Sequence, residues 1–279
     1  MAYSAEISRT NPTCFLFLID QSGSMSDAIG SQSGSSKAEG VADAINRLLQ
    51  NLIIKSSKSE GVRDYFHVGV IGYGEGVAPA LGADLAGRPM VPISEIANSP
   101  LRIEQRTKKV GDGACGLVDQ PIKFPVWFEP TANGSTPMCE AFELARQTVA
   151  DFIGQVPDCY PPLVVNITDG ESTDGDPEAV ATEIRGLTSS DGEVLLYNLH
   201  LSTRPIPAIQ FPDNEEALPD DFAKRLFRMS SVLPSAMRTT VQREEFRVSE
   251  TSRGFVFNAD LVSVIQFLDI GTRIAQNAR

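Results

Sequence analysis

The chain has no apolar run long enough to cross a bilayer, and it has few histidines and cysteines. A membrane-spanning helix needs about 20 consecutive apolar residues, so no such segment is predicted. The first twelve residues are too polar for a signal peptide, and we therefore expect a cytoplasmic protein with no membrane partner. The four cysteines have no zinc spacing, which favours reduced thiols over a zinc site. No Gly-x-x-x-x-Gly-Lys-[Ser/Thr] loop is present, so the chain is not expected to be an ATPase motor.

Positive charge is also scarce, with 24 Lys and Arg against 36 Asp and Glu and a net charge of −12. A surface this acidic argues against nucleic acid as a partner. The chain of 279 residues is 42% hydrophobic and 22% charged, which is enough to bury a core and keep a solvated surface. We predict one domain over 1–279.

The most informative segment begins with an apolar run and ends in polar side chains. Residues 14–19 are apolar and read as a strand buried on both faces, as in a parallel sheet. Asp20, Ser22 and Ser24 follow at alternate positions, beside a glycine that permits a tight turn. Carboxylate and hydroxyl oxygens without thiols or imidazoles suit a hard divalent cation. The end of this strand is therefore a predicted metal site.

Two later segments extend this prediction. A second mostly apolar strand, within 161–170, delivers Asp169 at its end, and Thr136 lies in a turn followed by a helix start. Ligands of open α/β sheets collect at the carboxyl ends of the strands. Asp20 and Asp169 would therefore meet if their strands were neighbours.

Asp-x-Ser-x-Ser, a later Gly-Ser-Thr-Pro and a strand-terminal Thr-Asp-Gly resemble the metal-ion-dependent adhesion site of von Willebrand factor type A (VWA) domains. The resemblance implies five metal-site residues, which are Asp20, Ser22, Ser24, Thr136 and Asp169. It implies Mg²⁺, with Ca²⁺ or Mn²⁺ as alternatives, and a partner protein that presents an Asp or Glu to the metal. The run at residues 226–234 is also similar to stand-alone bacterial cytosolic members of the tellurium-resistance-associated type. That similarity implies a kinase, phosphatase or ATPase encoded nearby as a partner.

Strand-like and helix-like segments alternate along the rest of the chain. The pattern predicts a doubly wound, mostly parallel sheet with helices on both faces and one antiparallel edge strand, placed at 77–81. Ser36 and Glu39 form a predicted capping box that opens the first helix. Asp176 and Pro177 are a typical start for a later helix. The last predicted helix covers 261–274.

Two segments depart from this alternation, at about 84–130 and about 203–233. The first is read as an insertion that holds short strands or turns, because a structureless loop of that length is unusual in a compact domain. A carboxylate that approaches a dication already balanced by two aspartates needs extra positive charge nearby. The insertion offers four basic residues, which we predict to bind the partner: Arg102, Arg106, Lys108 and Lys109.

Four of the five metal-site residues also have a plainer explanation. Thr136 could cap the helix that follows, Ser22 and Ser24 could cap the turn after the strand, and Asp20 could pair with a basic residue. Two strand-terminal aspartates would nevertheless repel each other unless a cation lay between them. No arginine lies close in sequence to either aspartate.

Three classes of function compete. A metal-dependent protein-binding module is the preferred interpretation, and a non-motor subunit of an AAA+/MoxR or chelatase-like assembly is the alternative. A Mg²⁺-dependent phosphatase is less well supported, because the position two residues after Asp20, where such enzymes carry an acid, is Ser22. A serine hydrolase motif is also lacking. We therefore expect the chain not to be an enzyme.

Overall fold

A computed structural model describes residue 3 and residues 5–28, 34–111, 117–202, 206–260 and 263–268. The larger strands and helices alternate over most of that length. The strands are β1 Thr13–Asp20, β2 Ser57–Lys58, β3 Gly61–Val62, β4 Phe66–Tyr73, β5 Val77–Pro79, β6 Val91–Pro92, β7 Arg102–Gly111, β8 Leu117–Val126, β9 Leu163–Thr168, β10 Thr188–Ser189, β11 Gly192–Glu193, β12 Leu195–Leu201, β13 Ile209–Gln210 and β14 Phe255–Ala259. The helices are α1 Lys37–Ser56, α2 Ile93–Asn98, α3 Met138–Gln155, α4 Glu178–Gly186, α5 Asp221–Met229 and α6 Ser235–Arg243. Residues 263–268 are also helical.

Five parallel strands form the centre of the main sheet, in the spatial order β14-β12-β9-β1-β4. Read from β4, this is the order 2-1-3-4-5 of the five strands along the chain. The order reverses between β1 and β9, which makes that junction the topological switch point, where ligands of such sheets bind. The predicted antiparallel edge strand is β5, and the short strands β6 and β13 also pair antiparallel with the sheet.

Helices cover both faces of this sheet, as the sequence predicts. On β1 the side chains of Phe15, Phe17 and Ile19 pack into one core, while Leu16 and Leu18 pack into the other. The first core also takes residues of α1, α2, α6 and 263–268. The second takes residues of α3, α4 and α5. The fold is therefore a doubly wound, mostly parallel α/β sheet.

The insertion at 84–130 carries more regular structure than the short strands or turns predicted for it. After β6 and α2 it forms a hairpin of two ten-residue strands, β7 and β8. Its base is anchored by Trp127 and Phe128, which are both 2% exposed. The Trp127 indole donates a hydrogen bond to the carbonyl of Ile96 at 2.6 Å.

Several local expectations can be compared with the described part of the chain. The capping box of Ser36 and Glu39 is confirmed, since each side chain accepts from the other residue's backbone N–H. Residues 261, 262 and 269–274 of the last predicted helix lie outside the described residues. None of the helices in the described ranges is both long enough and apolar enough to span a bilayer.

Candidate metal centre

The loop after β1 folds its polar side chains toward one another. The Asp20 carboxylate accepts a hydrogen bond from the backbone N–H of Ser22 at 2.9 Å, which closes a tight turn. The Ser22 and Ser24 hydroxyl oxygens lie 3.1 Å apart. Ser22 is the N-cap residue of the short 3₁₀ turn at Gly23–Ser26, and its side chain makes no capping hydrogen bond. The plainer explanation, that Ser22 caps the turn after the strand, is therefore wrong for this residue.

The end of β9 brings the second aspartate to the same loop. β9 pairs in parallel with β1, so the residues after both strands leave the sheet at one edge. The Ser24 hydroxyl donates to Asp169 Oδ1 at 2.7 Å. Thr168 donates its hydroxyl hydrogen to Asp20 Oδ2 at 2.7 Å. The two strand ends are therefore connected through side-chain oxygens.

Thr136 reaches this edge through a third loop. The N–H of Gly23 donates to the carbonyl of Gly134 at 3.1 Å, which ties the loop to the end of β1. Gly134 has a φ of +87°, and a Cβ there would lie 2.4 Å from the backbone nitrogen of Glu75, so this position requires glycine. The Thr136 hydroxyl lies beside Gly170, since a Cβ on Gly170 would be 3.8 Å from it.

Thr136 is not the cap of the helix that follows. α3 begins at Met138, and its N-cap residue makes no side-chain hydrogen bond. The backbone N–H groups of Cys139 and Glu140 donate instead to the carboxylate of Asp174, at 3.0 and 2.9 Å. The buried Thr136 hydroxyl, on a residue only 6% exposed, is thereby left for another role.

The negative charge of the Asp20 carboxylate is not balanced by a cationic side chain among its described neighbours. The residue is completely buried. Burial raises the pKa of the Asp20 carboxyl, and the charge of Asp169 raises it further, although hydrogen bonds from Ser22 and Thr168 act in the opposite direction. Among the described contacts, no Lys or Arg side chain pairs with this carboxylate. A buried carboxylate without a counter-ion is unfavourable until a cation or a proton neutralises it, and a divalent cation would neutralise Asp20 and Asp169 together.

Asp169 does have a cationic partner, which is Lys37. The Lys37 ammonium lies 2.8 Å from Asp169 Oδ2, and these two side chains are 8% and 1% exposed. Its other polar neighbours are the Ser24 carbonyl at 3.4 Å and the Asp27 carboxylate at 3.5 Å. Asp169 therefore faces the Ser24 hydroxyl with one oxygen and a buried lysine with the other.

The structure thus brings all five predicted metal-site residues to one edge of the sheet, at the switch point between β1 and β9. Within the ranges that the structure describes, no group of three or more His, Cys, Asp or Glu side chains is placed to hold a metal ion. A divalent cation here would depend on two carboxylates together with the hydroxyls of Ser22, Ser24 and Thr136. The oxygen-only set and the unpaired Asp20 fit a hard cation such as Mg²⁺.

Of the four basic residues of the insertion that are predicted to bind a partner, the two arginines form ion pairs within the chain. Arg102 pairs with Glu104 and Glu129 at the base of the hairpin. Arg106 pairs with Glu104 and with Asp43 of α1. Both arginines are therefore already neutralised by carboxylates of the chain itself.

The other two basic residues lie farther along β7. Lys109 is exposed on this strand. The backbone of Lys108 belongs to the same strand, and its side chain lies outside the described part of the molecule.

Residues that the sequence did not identify complete the site. Thr168 orients Asp20, Asp174 caps α3, and Lys37 pairs with Asp169. A signal for Lys37 was present: it follows the capping residue Ser36, and the first turn of a helix that follows a strand begins at that strand's carboxyl edge. The sequence prediction considered only arginines that lie close in sequence to the two aspartates, so it did not include this lysine.

A chain of buried polar groups lies inside the core near the site. Tyr73 donates its hydroxyl hydrogen to Asn166 Oδ1 at 2.7 Å, and Asn166 donates in turn to Asn198 Oδ1 at 3.0 Å. Asn198 then donates to the Ser230 hydroxyl at 3.0 Å. Burial raises the pKa of the Tyr73 hydroxyl well above its ordinary value. The chain links β4, β9 and β12 to the residue after α5 and fixes their relative positions.

No protein-family model and no curated protein matches this chain. Among solved structures, it is similar to the three N-terminal domains of the type V pili tip protein Mfa5 from Porphyromonas gingivalis, with a TM-score of 0.31 and 14% identity over 58% of this chain. The vWF domain of the same pili tip protein gives a TM-score of 0.32 and 14% identity, also over 58% of this chain. The similarity covers 20% and 39% of the length of those two chains. TM-scores this low do not assign the chain to their family, and its fold class follows from the strand order and helix placement.

Proposed function

We propose that this chain is a metal-dependent protein-interaction module of the VWA kind, which binds a partner carboxylate through a divalent cation. The observation that carries the proposal is the completely buried Asp20 carboxylate, which has no cationic partner among the described side chains. It belongs to a set of two carboxylates and three hydroxyls at the switch point of the sheet. That set matches the adhesion-site motif residue by residue.

Mg²⁺ is the cation that we expect in the cell. Hydroxyl-rich oxygen sites suit a small octahedral ion that keeps several of its waters. Ser22 and Ser24 would contact the ion directly, with Asp20, Thr136 and Asp169 acting directly or through water. In a crystal structure with the ion bound, metal–oxygen distances of roughly 2.0–2.1 Å identify Mg²⁺, and roughly 2.3–2.6 Å identify Ca²⁺.

The surface beside the site has room for part of a partner. A groove of about 430 Å³ lies next to the β1 loop and the start of α1. Its lining includes Ser26, Ser36 and Thr131. A second groove of about 300 Å³ continues past Glu39 and Pro130, which line both grooves, to the base of the hairpin. A partner that presents a carboxylate at the metal could extend along this path.

Isothermal titration calorimetry with Mg²⁺ tests the metal site directly. Wild type is expected to bind Mg²⁺, and Asp20→Ala is expected to bind none. Asp151→Ala is the matched control, because Asp151 is an exposed aspartate near the far end of α3. Equal Mg²⁺ affinity in wild type and Asp20→Ala would show that the site is assigned to the wrong residues.

A second measurement tests the carboxylate. Mn²⁺ bound at the site should broaden the NMR resonance of added acetate, and Mg²⁺ should suppress that broadening by competition. Bound Mn²⁺ that leaves acetate unaffected would contradict the binding of a partner carboxylate. Mg²⁺-dependent hydrolysis of p-nitrophenyl phosphate that Asp20→Asn abolishes would replace the binding module with an enzyme.

A further inference from the structure

Lys37 is a buried cation at the candidate metal site that the adhesion-site motif does not include. Its ammonium lies 2.8 Å from Asp169 Oδ2, and its side chain is 8% exposed. The position is well defined, because Lys37 is the first residue of α1 and Ser36 and Glu39 form the capping box around it. The ammonium is therefore held at the site by the start of a helix.

A count of the charges shows why this lysine matters. Asp20 and Asp169 together carry two negative charges, and a divalent cation would neutralise both. The addition of Lys37 gives the loaded site one positive charge in excess. Asp27 lies 3.5 Å from the same ammonium, but its side chain is 67% exposed, so water screens its contribution strongly.

The other candidate source of positive charge, the arginines of the insertion, is already involved in ion pairs. Arg102 and Arg106 are paired with carboxylates of the chain itself, so their charges are largely balanced before a negative group arrives. Lys37 is instead in direct contact with one of the metal-site aspartates.

We propose that Lys37 makes the metal-loaded site cationic, so that it weakens metal binding and strengthens the binding of a partner carboxylate. This proposal rests on the proposed function and concerns the selectivity of the same site. A fixed positive charge beside the ion repels the incoming cation and competes for Asp169. Once the ion is bound, the same charge attracts a carboxylate, which a neutral site would not do at a distance. Lys37 would therefore lower the affinity for the metal and raise the affinity for the carboxylate.

These opposite effects on the two affinities separate this role of Lys37 from that of a merely structural salt bridge. Lys37→Met keeps most of the aliphatic stem and removes the charge, and Lys37→Gln is a second uncharged variant that can still donate a hydrogen bond to Asp169. Lys58→Met is the matched control. It removes one exposed lysine just beyond the far end of α1, about 30 Å along the helix from Lys37.

Two affinities are measured for each variant, namely Mg²⁺ by calorimetry and acetate by the broadening that the Mn²⁺-loaded protein produces. Both uncharged variants at Lys37 are expected to bind Mg²⁺ about tenfold more tightly or better, and acetate about tenfold more weakly, because one neighbouring charge changes such equilibria by at least that factor. Lys58→Met is expected to match wild type in both. Urea titration without metal checks that each variant is folded.

The other outcomes overturn the proposal in distinguishable ways. Unchanged affinities in folded Lys37→Met and Lys37→Gln would remove the role of Lys37 and leave the proposed function standing. Loss of Mg²⁺ binding in both folded variants would show that Lys37 only positions Asp169. If wild type and both variants all fail to bind Mg²⁺, the proposed function itself fails.

Discussion

Replacing Asp20 by asparagine should make the metal-free protein more stable while abolishing Mg²⁺ binding. Asp20 is completely buried, and its carboxylate accepts from the Ser22 N–H and the Thr168 hydroxyl. Asparagine has nearly the same shape and can keep both contacts. Its oxygen accepts from Ser22, and its amide donates to Thr168, whose hydroxyl hydrogen can turn to the Gly170 carbonyl at 3.0 Å. The substitution therefore removes a charge and keeps both described contacts of the side chain.

The size of the gain follows from the cost of an uncompensated buried group. Such a group costs about 1–3 kcal/mol, and more when it is charged, while the two hydrogen bonds to the Asp20 charge recover part of that cost. We expect Asp20→Asn to raise the free energy of unfolding by about 1–2 kcal/mol without metal. For a domain of this size, each kcal/mol shifts the Tm by about 2–4 °C. In chelator, the Tm should rise by about 2–8 °C.

Bound Mg²⁺ should make wild type more stable than Asp20→Asn. At a Mg²⁺ concentration 100 times its Kd, wild type gains about 2.7 kcal/mol by mass action, whereas Asp20→Asn gains nothing. Urea unfolding with EDTA and with Mg²⁺ measures both differences. Asp151→Asn, the same change at an exposed position, should leave stability unchanged in both conditions. An Asp20→Asn variant that is less stable than wild type in EDTA by more than about 1 kcal/mol would refute the reasoning.

Three further predictions concern the framework of the site. Asn198→Ala should lower the free energy of unfolding by about 2–3 kcal/mol, measured in urea, because it leaves buried partners of the amide chain unpaired. Asp174→Ala should cost about 1 kcal/mol or less in urea at pH 7, since this exposed side chain caps α3. Burial alone would raise the pKa of Asp174, but the hydrogen bonds to its carboxylate lower the pKa. The stabilisation from this carboxylate is therefore present above the ordinary carboxyl pKa of about 3.9 and is lost as the pH falls below that value. The difference in stability between wild type and Asp174→Ala should disappear at that low pH. Arg106→Ala should lower the Tm through loss of its contact with the Phe124 ring at 3.6 Å, and Lys109→Ala should not.

Most of the candidate site could be predicted from the sequence because strands carry it. An apolar strand that ends in Asp20 and another that ends in Asp169 determine where those carboxylates lie once the two strands pair in parallel. Lys37 was missed because its proximity to Asp169 depends on where α1 begins relative to β1. That relative position is a property of the fold. The lysine belongs to the capping box that the sequence did show, so the missing step was to place the helix start at the sheet edge.

The hairpin was missed for a different reason. Pro121 and Pro125 lie within β8, and proline normally argues against a central strand. In a ribbon of two strands, however, each strand has one edge without a partner strand, and a residue whose nitrogen faces that edge does not need a backbone N–H. The local pattern was therefore compatible with two long strands, and only the pairing of β7 with β8 showed this.

These two omissions change how the charge of a partner would be balanced. The sequence placed the compensating positive charge on the insertion, whereas the structure places a buried ammonium in contact with Asp169 and leaves Arg102 and Arg106 paired at the hairpin base. A charge held within the site would act on any carboxylate that reached a bound metal, whatever the rest of the partner looked like. A charge on the hairpin would act only on partners long enough to extend along the groove. Under the two proposals, recognition of the carboxylate would depend on the metal site with Lys37, and any contribution of the hairpin to the choice of partner would be separate, so substitutions at Lys37 and in the hairpin test them independently.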